Sequence, residues 1–523
     1  MIARAALVAG LAAALVLPSI GQRVIASGDE ARFAILAQDM LARGTWFDAR
    51  VRDQRYRNKP LLYPWAIKVL SMPQGRVTET TAQVPVAVAA VAAVFFTTLL
   101  GQQLFSPTAG VAAGVVTATS YAFFAHSQIL LPDMLVVAFG LGALCAFRAA
   151  VQRPLDTRAL TAFYAAVALG VAAKGPVGLL PVLVAGVWLL TEHGARGLKR
   201  LGSWPGALAF VVITGAWLLP YLFAGSRSFA RGVVWDDWLA WYVGGPQPVA
   251  ALSKLLDAAK GFLPWTTLLV LPLLAARRHW REGAYRFALV ALIVPFVTVL
   301  LALHHRERYW LPIYPAAALL VGWWCDRASV GRSRATVVVA CLTAATTLGA
   351  IGALASPWFD PAQRALVAAS GWKAAALAGG VLAVAGYACW MLLAGRPRAL
   401  VAGVALGTAA LLVGGGRLYD RWQTRSEDYP ALAALAERYA EGGDLGITGG
   451  RFFSIDFYLG RALTPLRSPS DLETWLTRPD RPVVVATGRA WSSMRSQVRT
   501  DVEVVDGLPV RSQPMLLLRR QAP

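Results

Sequence analysis

The chain has 523 residues, of which 57% are hydrophobic and 15% charged. A soluble domain carries about 25% charged residues; the deficit, with apolar runs of roughly 17 residues or more repeating along the chain, excludes a soluble multidomain protein. The net charge of +21 is scattered among those runs, which argues against nucleic-acid binding and for positive loops facing anionic lipid.

Arg4, the apolar stretch to Ile20 and Ala26-Ser27 have the outline of a signal peptide. Because the rest of the chain is polytopic, an uncleaved signal anchor is expected. Apolar runs follow at 80–104, 108–125, 133–151, 160–173, 175–191, 205–224, 260–276, 284–303, 309–325, 335–355, 373–393 and 398–415. With 4–22 they make about thirteen expected spans. Arg153 and Arg158, then Arg196, Lys199 and Arg200, then Arg277, Arg278 and Arg281, then Arg327, Arg332 and Arg334, then Arg396 and Arg398 fall in every second short loop. With Arg4 they define one cytoplasmic side. The opposite side receives 23–79, 125–132, the Lys174 turn, 225–259, 304–308, 356–372 and everything after 416. Cys145, Cys325, Cys341 and Cys389 lie in or beside apolar runs without metal or disulfide spacing, and read as small buried residues.

In loop 23–79, Phe33, Ile35, Leu36 and Met40 recur at helical spacing, and Pro60 opens a second apolar stretch over Leu61–Leu70. Both are too short to span and are expected as interfacial helices. Loop 225–259 carries Trp235, Trp238, Trp241, Tyr242 and Gly244-Gly245-Pro246, suited to an aromatic belt or to an acceptor or lipid gate. From about Tyr419 the composition turns polar. Tyr429–Tyr439 predicts an amphipathic helix, and Leu445–Thr448, Val483–Ala486, Val502–Val505 and Met515–Leu518 predict strands. The expected architecture is a mainly α polytopic membrane protein, with residues 1–418 in the membrane part, 23–79 its first outer loop, and 419–523 a small α/β domain outside the membrane. No internal repeat is visible, which weakens a transporter reading.

Ionisable groups near membrane depth are functional candidates. Asp29 and Glu30 are adjacent at a helix start. The pair suits either the helix dipole or, since neighbouring side chains diverge by about 100°, two separate roles as base and as metal or substrate ligand. Arg32 lies one turn from Asp29, where it can orient it. Arg50, Arg52, Arg55, Tyr56, Arg57 and Lys59 form a basic stretch that fits lipid headgroups or a substrate phosphate. Asp133 opens an apolar helix, as a cap or a second acid, and His126 precedes it as a structural residue or a ligand. Lys174 interrupts an apolar pair beside Gly175-Pro176, which fits snorkelling or phosphate binding. His304-His305-Arg306-Glu307-Arg308-Tyr309-Trp310 gathers donors and an acid in one short loop, for helix-end anchoring or for a phosphate headgroup. The sequence contains no HExxH, glycine-rich phosphate loop or dinucleotide signature, so a nucleotide-sugar or ATP site has no support.

Five fragments in order, DEARF (29–33), RNKPLLYPW (57–65), LLPDM (130–134), AAKGPVGLLP (172–181) and RERYWLPIYP (306–315), with FFSIDFYLGR (452–461) more loosely, resemble the polytopic glycosyltransferases of the C-type (GT-C) fold. Within them the chain is most similar to the aminoarabinose lipid A transferases and the protein O-mannosyltransferases. The resemblance implies a sugar donor on a polyprenyl phosphate, an extracytoplasmic acceptor and transfer with inversion. It implies Asp29 as the acceptor-activating base, Lys59 and Lys174 on phosphate, and Arg308 and Tyr309 at the donor phosphate or its prenyl chain. Glu30, Arg32, Arg57, Tyr63 and His305 join the expected substrate-binding set, and Asp133 the catalytic one. A divalent metal is left open, with Glu30 and His126 as candidate ligands. Gln128 and Gln83 depart from the family pattern, where relatives often carry Arg. The expected location is a bacterial-type inner membrane, with site and C-terminal domain outside. The acceptor is expected to be lipid A or another envelope glycolipid, then a protein or polysaccharide. The reading from a different class is a transporter or flippase of a lipid-linked sugar.

Overall fold

A computed structural model describes the chain except residues 53, 152–155, 226–228, 230, 234, 236–250, 303–304, 328–332, 355–360, 481, 512 and 522–523, and the side chains of 353–354, 361–363 and 365–366. Trp238, Trp241, Tyr242, Gly244-Gly245-Pro246 and His304, singled out above, lie outside the described residues. Contacts divide the chain into two units: Met1–Ile20, Arg57–Ala66 and Gln83–Leu418, and Gly21–Tyr56, Ile67–Ala82 and Tyr419–Pro523.

The first unit is helical, and the chain is a multi-pass membrane protein. Among the described residues, nine helical stretches are long and apolar enough to cross a bilayer. The difference from the thirteen runs of the sequence has local causes. Pro107–Ala118 has 12 residues and Ile313–Arg327 15, short of a span. Thr157–His193 counts once, although Gly175 divides it. The run expected at 260–276 is split between helices Ala251–Gly261 and Val270–His279.

The break at Gly175 places a functional candidate. Helix Thr157–Lys174 ends there because Gly175 takes φ +75°, a conformation that L side chains rarely adopt. A 3-10 turn, Gly175–Leu179, returns the chain into helix Leu180–His193. Gly178 seats that turn on Val171 and Gly170, where a Cβ would collide with backbone. Helix Asp133–Val151 packs against Thr157–Lys174 and against Leu180–His193.

The second unit joins the first loop to the C-terminal domain. Its larger sheet orders strands β4-β3-β5-β7-β6, preceded in the chain by a small hairpin, β1 (Arg50–Val51) with β2 (Gln54–Arg55). Here β3 is Leu445–Thr448, β4 Thr464–Pro465, β5 Val483–Thr487, β6 Val502–Val510 and β7 Gln513–Arg520. β3 runs parallel to both β4 and β5, whereas β7 is antiparallel to β5 and β6. β5 reads Val-Val-Val-Ala because it is buried on both faces. Val483 and Val485 enter one core with Leu432 and Ala436 of helix Tyr429–Ala440 and with Ile455. Val484 and Ala486 enter the opposite core with Leu472, Leu476 and Trp491.

The sequence reading kept 23–79 with the membrane part. Contacts gather 21–56 and 67–82 with the C-terminal domain instead, because Val24 and Ala26 are buried in the first of those cores. Helix Gly28–Ala42, capped by Ser27 on Glu30 N, turns Phe33, Ile35, Leu36 and Met40 into the same unit and packs on helix Phe453–Leu459. The apolar face expected at a lipid interface therefore meets protein. The helix expected over Leu61–Leu70 forms as Leu62–Ser71.

Candidate active site

In the first unit, Asp133 is the first residue of its helix and Lys174 the last of the neighbouring one. The macrodipoles favour a carboxylate and an ammonium at those respective ends. Their side chains form a buried ion pair. Arg308, in the 3-10 turn Glu307–Trp310, brings Nε to 3.9 Å from the second oxygen of Asp133. Lys174 Nζ lies 4.7 Å and Arg308 Cζ 5.9 Å from the centre of the Tyr309 ring.

These four residues and Lys59 line one end of a cavity of about 800 Å3. The charged residues of its lining are three cations and one carboxylate, so its charge is net positive. The remaining wall is apolar. Leu179, at the end of the 3-10 turn, leads into Leu183, Gly186, Val187 and Leu190 along helix Leu180–His193, and Leu198 and Leu201 also line it. At 1.5 Å per residue the wall from Leu179 to Leu190 is roughly 16 Å long. Leu179, Leu183 and Leu190 are also exposed, which opens this wall to the side of the bundle.

The turn that carries Arg308 is tied to helix Ala251–Gly261. His305 Nε2 lies 2.8 Å from Asp257 Oδ2, and Lys260 Nζ donates to Glu307 at 2.8 Å. Lys254 Nζ donates to the carbonyls of Leu300 and Ala302 at 3.1 and 2.7 Å. His305 is thus an anchor of the turn. Lys254, Asp257 and Lys260 were missed by the sequence reading, although their spacing of three is a helical signal, because it crosses the boundary between the loop expected at 225–259 and the apolar run expected at 260–276. Of the basic loop, Lys59 reaches the cavity. Arg57 is exposed and lies so close to Gly232 that a Cβ there would stand 2.6 Å from Nη1, while Tyr63 is fully buried.

Asp29, Glu30 and Arg32 belong to the second unit. Glu30 is buried in an ion pair with Arg23. Asp29, beside it, is partly exposed and lies 3.3 Å from Arg32. The divergence expected of neighbouring residues at a helix start therefore gives one buried structural acid and one accessible acid. Arg32 Cζ stands 5.1 Å from the centre of the Phe453 ring, and Arg451 Cζ 4.7 Å from the same ring. Deeper in this unit Arg52 Nη1 donates to Asp39 at 2.9 Å, its backbone N–H donates to the same carboxylate and its Nη2 to the Asp456 carbonyl. Burial pushes the Asp456 carboxyl above its usual range, while a hydrogen bond from Leu463 N and the Arg451 and Arg52 charges oppose that rise. Among the described residues no group of three or more His, Cys, Asp and Glu is placed to hold a metal. Of the two expected candidates, Glu30 holds Arg23 and His126 Nδ1 lies 2.8 Å from Ala122 O.

Comparison with known proteins bears on this arrangement. Residues 58–219 match the family described as dolichyl-phosphate-mannose-protein mannosyltransferase. An undecaprenyl phosphate-alpha-4-amino-4-deoxy-L-arabinose arabinosyl transferase of Pseudomonas fluorescens is 27% identical over 341 residues, 64% of this chain and 61% of the relative. The Shewanella sediminis enzyme of that description is 24% identical over 317 residues, 59% and 57% of the two chains. The chain thus spans about three fifths of these curated relatives. The crystal structure of ArnT from Cupriavidus metallidurans bound to undecaprenyl phosphate superposes with a TM-score of 0.79 at 18% identity, covering 98% of this chain and 97% of that one. The chain has the C-type glycosyltransferase fold. More distantly, the oligosaccharyltransferase AglB of Archaeoglobus fulgidus superposes with a TM-score of 0.51 at 12% identity, over 92% and 69% of the chains. In this C-type fold, the Asp133–Lys174 pair, Arg308 and Tyr309 share one cavity end, and Asp29 and Arg32 share one face of the second unit.

Proposed function

We propose that this chain is an inverting glycosyltransferase that moves a sugar from a polyprenyl-phosphate donor to an extracytoplasmic acceptor, lipid A or another envelope glycolipid first. The cavity carries the reading: a positive end of Lys59, Lys174 and Arg308 continues into a long apolar wall that opens sideways. A phosphate with a prenyl tail has that same division between charge and hydrocarbon. The curated relatives' names and the undecaprenyl phosphate of the similar crystal structure support it.

The acceptor oxygen forms a bond to the anomeric carbon while the bond from that carbon to the donor phosphate oxygen breaks. The electron pair leaves on the phosphate. Lys59, Lys174 and Arg308 stabilise the charge that develops there, in surroundings of low dielectric. Asp133 holds two of those cations in place. Asp29 takes the proton of a hydroxyl acceptor; a phosphate acceptor, already ionised, asks little of a base. Tyr309 lies against Lys174 and Arg308, and its ring meets the start of the prenyl chain.

The site and the domain beginning at residue 419 face away from the cytoplasm of a bacterial inner membrane, since the short basic loops collect on the other side. A reporter fused after residue 420 tests this: alkaline phosphatase is active there and a cytoplasmic reporter silent, and the reverse pattern strands the site on the wrong side. The match over 58–219 favours a second reading, transfer to protein. Purified protein in nanodiscs, given polyprenyl-phosphate sugars with lipid A or peptide acceptors, separates the two by the mass of the product. Transfer to peptide alone replaces the glycolipid reading. No transfer to any acceptor, with the lipid-linked sugar moved across the bilayer instead, replaces both with a flippase.

A further inference from the structure

β3 ends at Thr448, and Gly449 and Gly450 follow with φ +91° and +127°. A Cβ on Gly449 would press into the Thr487 side chain, so only glycine lets the chain turn so close to β5. The turn delivers Arg451 and Phe453 to the helix that begins at Gly28. The Phe453 ring lies beside the start of that helix: a Cβ built on Gly28 would stand 3.8 Å from it. Arg32 and Arg451 both lie over that ring, and Arg451 Nε is 3.5 Å from Asp456 Oδ2. Arg52 ties Asp456 back to Asp39 of the same helix as Asp29. Two segments some 400 residues apart in the chain thus form one polar network.

We propose that Phe453 of the C-terminal domain is a positioning residue for transfer: its ring holds the Arg32 guanidinium beside Asp29. This rests on the reading of Asp29 as the acceptor-side base. An arginine side chain has many rotamers, and a helix surface alone does not select one. An aromatic face fixes the plane of the guanidinium without neutralising it. Its N–H edge then stays available to Asp29, 3.3 Å away. Arg32 Nε is buried and has no hydrogen-bond partner among the described residues, so the ring and Asp29 are the contacts that hold the guanidinium.

The test uses the full chain in nanodiscs with a polyprenyl-phosphate sugar and a glycolipid acceptor that offers a hydroxyl, and compares Phe453→Leu, Phe453→Trp and Asp29→Asn. Leucine keeps an apolar side chain beside Gly28 and loses the cation–π face; tryptophan keeps both. Phe453→Leu is expected to lower kcat about tenfold with the donor KM unchanged, and Phe453→Trp to restore kcat to within about threefold of wild type. Unaltered kcat in Phe453→Leu beside an inactive Asp29→Asn overturns the positioning role and leaves the base reading standing. A kcat loss that tryptophan does not rescue, with a lowered unfolding midpoint in Phe453→Leu, marks a structural role and also overturns it. Full activity in Asp29→Asn removes the base reading, and this inference with it.

Discussion

Asp133 and Lys174 stand 41 residues apart in the chain and meet as a buried ion pair where two antiparallel helices begin and end. Neither residue contacts bulk solvent freely, so each compensates the other's desolvation. Arg308 makes the group three-membered and leaves it with net positive charge. A structural pair alone has no use for that surplus, whereas a site for a phosphate anion does.

The pair can be weighed by a double-mutant cycle. Asp133→Ala leaves Lys174 without its acid in a site largely shut from solvent and is expected to destabilise the first unit by about 3–5 kcal/mol. Asp133→Ala with Lys174→Ala together costs less than the sum of the two single changes. Thermal unfolding in detergent reads the four proteins; strictly additive losses contradict the coupling.

Loss of single cations separates binding from chemistry. Lys59→Ala and Arg308→Ala each remove a charged donor from the phosphate end, worth about 1.5–3 kcal/mol, or roughly ten- to a hundredfold in kcat/KM. Both variants are expected to keep the wild-type unfolding midpoint, because neither leaves Asp133 without Lys174. Steady-state kinetics over donor concentration check this, and unchanged kcat/KM in both removes them from the site.

Gly186 gives the apolar wall its width. A Cβ there stands 3.8 Å from Leu198, ordinary contact, so Gly186→Ala is tolerated. Gly186→Leu fills the groove and is expected to raise the KM of a long-chain polyprenyl donor at least about tenfold while sparing a donor with a short, truncated tail. Equal effects on both donors would place the chain elsewhere.

Asp456 offers a pH signature in the second unit. Burial raises its folded value above the unfolded one, near 3.9. Its proton-linked stabilisation is full below the unfolded value and is lost as pH rises through the folded one. Asp456→Asn has no such loss and retains an oxygen acceptor for Leu463 N, 3.1 Å from Oδ1 in the native chain. Its stability relative to wild type is therefore expected to improve as pH rises from about 4. Denaturant unfolding at several pH values decides, and a difference independent of pH contradicts the assignment.

Much of the fold was legible. Apolar runs announced the spans, and β5 and helix Tyr429–Ala440 stood out by burial pattern and periodicity. Asp133 and Lys174 were legible one by one, each a charge at the edge of an apolar run. Their pairing was not, since nothing in a sequence of this kind measures which helix ends meet. The helix holding Lys254, Asp257 and Lys260 was hidden because its outward leucines, Leu252, Leu255 and Leu256, blended with the aromatic loop before it. The union of the first loop with the C-terminal domain was invisible too: Val24 and Ala26 look like ordinary loop residues until the core that buries them is present. Short helices such as Phe453–Leu459 escaped because one amphipathic turn gives too little periodicity to read.

The central claim is that the cavity beside Lys174 holds a polyprenyl phosphate, head on the cations and tail along the wall from Leu179 to Leu190. Photo-crosslinking with a polyprenyl phosphate that carries a diazirine on its tail, followed by peptide mass spectrometry, tests it most directly. The account predicts labels on Leu183, Val187 and Leu190, displaced by excess unlabelled polyprenyl phosphate and lost in Lys174→Ala. Labels confined to helices outside that wall, or labels on it that neither competitor nor Lys174→Ala removes, would contradict it.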